Sequence, residues 1–167
     1  MKKLALLILL MMIFQSSVFS RPVVFNDDGK FGLKDENGNI VVKAEYKKLI
    51  RLGETGWIIQ KGSKFGIMND EGKILVEPKY NRADRVLGKF AKLTKGEKIG
   101  LFDEQGFVIL HPEYSSIDLL FGGMFLTCKN YKYGVTDFNG QPILDNVFDD
   151  IYMPKPNVMI ITYNGQK

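Results

Sequence analysis

The sequence predicts an all-β protein, a tandem array of four three-stranded antiparallel β units of 34 residues, and three columns of residues predict it. The first column is a tetrad of Lys, a large apolar residue, Gly and an aliphatic residue: Lys30-Phe31-Gly32-Leu33, Lys64-Phe65-Gly66-Ile67, Lys98-Ile99-Gly100-Leu101 and Lys132-Tyr133-Gly134-Val135. Six residues after each tetrad glycine stands a second one, Gly38, Gly72, Gly106 and Gly140, closing an Asp/Asn-x-x-Gly turn. The third column is Tyr46, Tyr80, Tyr114 and Phe148, with Pro78 and Pro112 two positions earlier in the middle copies. All three share one register without insertions.

A period of this length also suits pairs of helices, so the content of the unit has to decide. Helical units need two runs of roughly 10–14 residues with 3.6-residue periodicity. Here a glycine or turn residue interrupts the chain every six to ten positions, leaving short segments such as Trp57-Ile58-Ile59-Gln60 and Lys73-Ile74-Leu75-Val76. Their length and their β-branched and aromatic content are those of strands.

The turns follow from residue chemistry. In Asp/Asn-x-x-Gly the side-chain oxygen accepts from turn amides, and the glycine enters the left-handed region that a Cβ disfavours. A second turn precedes each tetrad, at Asp28-Gly29, Gly62-Ser63, Gly96-Glu97 and Asn130-Tyr131. Asp-Gly is a strong hairpin signal. Each unit therefore reads strand, turn, strand, turn, strand, then a loop of about ten residues. The units run over 23–56, 57–90, 91–124 and 125–158, and residues 159–167 begin a fifth. That partial unit is either a cap over a bare sheet edge or a truncated copy. The array is either an open twisted stack or partly closed, since 34 residues is short for a four-stranded propeller blade.

Residues 1–20 have the order of a secretory signal: Lys2 and Lys3, an apolar run over 4–14, a polar stretch, then Val18 and Ser20 before cleavage ahead of Arg21. The apolar run is about half the roughly 20 residues that a spanning helix needs. The mature chain is thus expected to be secreted or periplasmic, with no stable membrane span. Loss of Lys2 and Lys3 lowers the net charge from +4 to about +2. That is too little, and too dispersed, for a nucleic-acid footprint. The one cysteine, Cys128, excludes an internal disulfide.

These columns resemble those of the bacterial WG-repeat family, whose units carry a Lys-Trp-Gly-like tetrad, an Asp-x-x-Gly turn and a Pro-x-Tyr-like element. The likeness covers about residues 21–167. Phe31, Phe65, Ile99 and Tyr133 replace the namesake tryptophan, and Trp57 lies in another column. The resemblance implies an envelope or extracellular β-repeat protein with an interaction role, not an enzyme.

The same columns decide the candidate sites. His111 shares its column with Lys43, Glu77 and Asp145 and has no partner set for a metal or a general base, so no metal site is expected. Cys128 aligns with Gln60, Thr94 and Thr162 and reads as incidental, or as an intermolecular link. The four-residue acidic turns supply too few oxygens for calcium. No catalytic residue and no cofactor is expected. The charged column Lys30, Lys64, Lys98 and Lys132 is the one candidate binding feature. It is either a ladder for an acidic glycan or hydrated edge protection. Tyr46, Tyr80, Tyr114 and Phe148 are expected to pack between units, because a single repeat cannot bury its own apolar face. Segments that differ between copies, such as 119–123 and 154–156, are where specificity for an envelope protein would reside.

Overall fold

The structure is a computed structural model that describes residues 21–166; the proposed export segment lies outside the described residues. Among the described residues every regular element is a strand. The first sheet holds β1 (Val23–Asp27), β2 (Lys30–Lys34) and β3 (Ile40–Tyr46). Three four-stranded antiparallel meanders follow: β4 (Lys48–Leu52) to β7 (Ile74–Tyr80), β8 (Arg82–Val86) to β11 (Val108–Tyr114), and β12 (Ser116–Leu120) to β15 (Pro142–Phe148). Within them lie β5 (Gly56–Lys61), β6 (Lys64–Asn69), β9 (Phe90–Lys95), β10 (Lys98–Asp103), β13 (Met124–Lys129) and β14 (Lys132–Asp137). A last sheet pairs β16 (Asp150–Lys155) with β17 (Val158–Thr162), and Asn164-Gly165 turns beyond it between Tyr163 and Gln166. The sheets stand in tandem and do not close into a barrel.

The tandem all-β array is the one the sequence predicts, with a fourth strand added to each complete sheet. The segment read as a ten-residue loop forms β4, β8, β12 and β16, so the hydrogen-bonded units run 48–80, 82–114 and 116–148. The join between sheets is one bent strand that changes partner at a single residue. At each bend a backbone N–H is already pledged to the next sheet: Lys47 donates to Gln60, Asn81 to Thr94, Ser115 to Cys128 and Asp149 to Thr162, at 2.7, 2.7, 2.8 and 2.9 Å. Strands that switch sheets through a bend are a known way to turn the corner of a packed pair.

The three sequence columns are one structural device. Phe31, Phe65, Ile99 and Tyr133 sit directly across the ladder from Tyr46, Tyr80, Tyr114 and Phe148. Beyond that pair the outer strand bulges: two steps along β6, from Phe65 to Ile67, match four along β7, from Tyr80 to Val76. The slack brings the bulged backbone over the tetrad glycine. A Cβ on Gly66 would lie 2.3 Å from the Val76 carbonyl oxygen, and Gly32, Gly100 and Gly134 meet the same crossing. Pro78 and Pro112 lie in the bulge on an edge strand, where a missing N–H costs the ladder nothing. In the fourth sheet Asn146 replaces that proline. Its amide donates to the Thr127 carbonyl (2.9 Å) and hydroxyl (3.1 Å) and to the Lys132 carbonyl (3.2 Å), providing for a threonine that stands where Ile59 and Leu93 stand in other copies.

The core is divided between successive sheets. Leu33, Val42 and Tyr46 meet Trp57, Ile59 and Met68 of the second sheet. Leu52, Ile58, Ile67 and Tyr80 meet Ala91, Leu93 and Phe102 of the third. Phe90, Leu101 and Leu110 meet Ile117 and Phe125 of the fourth. Strand alternation explains this: Trp57 and Ile59 point one way and Ile58 the other, so a middle sheet is buried on both faces. Tyr46 and Tyr80 are buried, Tyr114 is half-buried against the third cluster, and Phe148 packs edge-on against Tyr163 at 5.9 Å.

Burial, with the Glu45 carboxylate beside it, pushes the Tyr46 phenol up to about 12 from its ordinary 10.0. A raised folded-state value favours the neutral phenol, so its contribution is complete below pH 10 and is lost as pH rises towards 12. A rise from 10.0 to about 12 corresponds to about 3 kcal/mol. Tyr46→Phe is expected to lose less stability than the parent between pH 10 and 12, compared by urea unfolding at each pH. Parallel curves for the two proteins would refute it.

Candidate binding surface

The meander places its turns on two rims. One rim carries the Asp/Asn-x-x-Gly turns with the turns joining β4 to β5, β8 to β9 and β12 to β13; the other carries the tight hairpins before each tetrad and the bends between sheets. On the first rim the recurring turn oxygens are spent locally. Asp35 accepts from the Asn37 and Asn39 amides at 2.9 and 2.8 Å, Asp103 from Gln105 and Phe107 at 3.0 and 2.8 Å, and Asp137 from Asn139 and Gln141 at 2.9 and 2.8 Å. Asn69 does the same for Glu71 and Lys73. The side-chain bond from Asn39 holds the Asp35 carboxyl below the usual range. Gly38, Gly72, Gly106 and Gly140 close these turns at φ of 82–84°. Gly140 also lies so near the preceding unit that a Cβ would meet the Ile109 carbonyl oxygen at 2.1 Å.

The next turn position, Asp70, Glu104 and Phe138, is the one that sequence reading missed. Asp70 is buried and accepts from the Trp57 indole N–H at 2.7 Å while pairing through both oxygens with Arg51, whose guanidinium lies 4.8 Å over the Trp57 ring. Glu104 reaches back one sheet to accept the Glu54 and Thr55 amides. Phe138 packs with Phe90 and Phe125 at 5.6 and 5.0 Å. The only signal was that this position, which the turn itself leaves unconstrained, is acidic in three copies, Glu36, Asp70 and Glu104, and changes to Phe138 in the fourth.

The second rim is rich in lysine. Lys30, Lys64, Lys98 and Lys132 each begin the second or third strand of their sheet, opposite Asp27, Lys61, Lys95 and Lys129 across the hairpin. The structure therefore doubles the lysine column instead of isolating it. Asp149 takes the Lys132 ammonium, and that bond holds the Asp149 carboxyl below its ordinary range. Lys61 pairs with Glu45 of the sheet before it at 3.0 Å, and Lys129 with Glu113 at 2.9 Å. The bond from Glu113 raises the Lys129 ammonium above its usual value.

His111 is exposed on β11, in a groove shared with Lys79, Lys95 and Pro112. Cys128 is buried in β13, and its carbonyl accepts from Ser115. Among the described residues no three His, Cys, Asp or Glu side chains are grouped to hold a metal. Of the segments that differ between copies, Leu119 and Leu120 belong to β12 and 121–123 form the turn after it. There Leu119, Phe121 and Tyr152 stand about half exposed around an open groove floored by Leu126 and Met153.

Sheets that bury both faces against neighbours, linked by partner-switching strands and closed by one recurring turn, define a tandem β-repeat protein. The WG containing repeat matches residues 31–53, 65–98 and 99–133, more than half of the chain, and the chain belongs to that family. No curated protein matches it.

Proposed function

We propose that this WG-repeat chain is an exported, non-enzymatic interaction or scaffolding module of the cell envelope. One observation carries the reading: inward columns repeat while outward ones diverge. Leu33, Ile67, Leu101 and Val135 are all fully buried aliphatics. The outward column Gly53, Leu87, Phe121 and Lys155 passes from glycine through two large apolar residues to lysine, and its neighbour changes from Arg85 to Leu119 and Met153. A solenoid needs its inner columns for stacking and leaves the outer ones free for recognition. Export is supported by the basic, apolar and small-residue order of residues 1–20.

The test is to express the full chain in its source organism and recover it from the envelope. The expected product begins at Arg21 and co-elutes with one envelope protein in stoichiometric amount. A chain retained inside the cell with residues 1–20 attached would sink the export half. Retention on acidic polysaccharide alone, lost when Lys64 and Lys98 become alanine, would hand the surface to a glycan instead.

A further inference from the structure

The outward strands meet their neighbours in the same way at three junctions: β3 lies against β5, β7 against β9, and β11 against β13. At the first junction Glu45 faces Lys61, and at the third Glu113 faces Lys129, each as an ion pair. The residues in those two places at the middle junction are Lys79 and Lys95. Two ammonium groups therefore stand where the repeat elsewhere sets a carboxylate against an ammonium. Among the described residues neither lysine makes an ion pair, and both line a groove of about 620 Å³ between the second and third sheets. The groove's other charged or titratable lining groups are Glu77 and His111, both exposed, and the buried Tyr80, whose ring centroid lies 5.9 Å from the Lys79 ammonium, and its apolar lining includes Val108 and Pro112. Lys64 and Lys98 start the adjacent strands on the same rim, and Glu97 is the acid in the hairpin between Lys95 and Lys98.

We infer that the middle junction is a recognition site for glutamate-rich protein segments, in which a partner's carboxylate enters between Lys79 and Lys95 and replaces the one that the repeat omits. This rests on the interaction reading above. A glutamate suits the site better than a bare anion, because its methylenes lie on the apolar lining while its carboxylate takes the place that Glu45 and Glu113 fill at the flanking junctions. Charge complementarity of this kind sets specificity and the salt dependence of association.

The experiment measures binding of a fluorescent hexaglutamate peptide to the exported chain and to three variants at low salt. Lys79→Glu rebuilds the flanking pattern, so it is expected to keep the parent melting temperature while weakening the peptide by roughly tenfold, as a sign change at an interface does. Lys95→Glu should weaken it likewise. Lys61→Glu makes the same change of net charge at the first junction and should leave the affinity unchanged. Equal weakening by Lys61→Glu would reduce the effect to diffuse charge and overturn the site. Binding of polygalacturonate or inorganic phosphate without binding of hexaglutamate would overturn the peptide assignment. If Lys79→Glu still captures the envelope partner as well as the parent does, the site falls and the interaction reading stands. If hexaglutamate binds at Lys79 and no envelope protein is captured, the site stands and the interaction reading falls.

Discussion

Gly66→Ala is expected to cost about 3 kcal/mol, near the top of the range for forcing an added methyl into a packed interior. The new Cβ would lie 2.3 Å from the Val76 carbonyl oxygen and 2.9 Å from the Pro78 nitrogen. Both are backbone atoms of the bulged strand, so no rotamer change relieves the clash. The bulge itself would have to open, and the Phe65–Tyr80 pair that anchors it would open with it. Gly62 is the control. It sits in the hairpin at φ 62°, and a Cβ there would have nothing within 4 Å, so alanine carries only the left-handed penalty of about 1 kcal/mol. The expected order is thus the reverse of what φ alone implies, since Gly66 has an ordinary strand conformation. Urea unfolding at constant m-value checks it. Equal midpoint shifts for the two variants would show that the bulge yields freely.

That contrast also explains what could be read from the sequence. The tetrad glycines, the turn glycines and the tyrosine column were visible because each answers a constraint that recurs in every copy: a close crossing, a left-handed turn, a cross-strand partner. The strand class and the 34-residue register followed. The fourth strand did not, because Lys48–Leu52, Arg82–Val86 and Ser116–Leu120 share little beyond an apolar second position, Leu49, Ala83 and Ile117, and an apolar last one. Five residues with two fixed positions leave no periodicity to count. The bend before them was equally hidden, since Lys47, Asn81, Ser115 and Asp149 have only a backbone bond in common.

The candidate site was harder still. Lys64 and Lys98 were conspicuous because their column never varies, whereas Lys79 carries information because its column does: Glu45, Lys79, Glu113 and Val147. A departure gains meaning only when the residue across the junction is known. Lys95 stands 16 positions further on in sequence, and no local pattern connects it to Lys79. The same holds for Thr127 with Asn146, where a polar residue in a core column is matched by an amide from another strand.

Asp70 offers the strongest test of such a copy-specific departure, and Asp70→Ala is expected to cost about 3 kcal/mol. The carboxylate is 6% exposed and serves two donors at once, the Trp57 indole at 2.7 Å and the Arg51 guanidinium. Removing it strands both, and breaking a buried pair from one side is costly because the other charge stays behind. The figure lies at the lower end of that range because Arg51 keeps 24% of its side chain in contact with water and can turn outward. Asp70→Asn retains one acceptor for the indole and should cost about 1 kcal/mol, the ordinary worth of a hydrogen bond plus part of the lost charge. Arg51→Met removes the charge that Asp70→Ala would leave unpaired, so the double variant should be milder than the sum of the singles by about 1 kcal/mol. Strict additivity would mean that Arg51 and Asp70 act independently and that the pair contributes nothing as a unit. Trp57 is the only tryptophan in the chain, so its emission reports both the unfolding curve and the state of this site. A variant that loses stability with unchanged native emission would place the damage elsewhere.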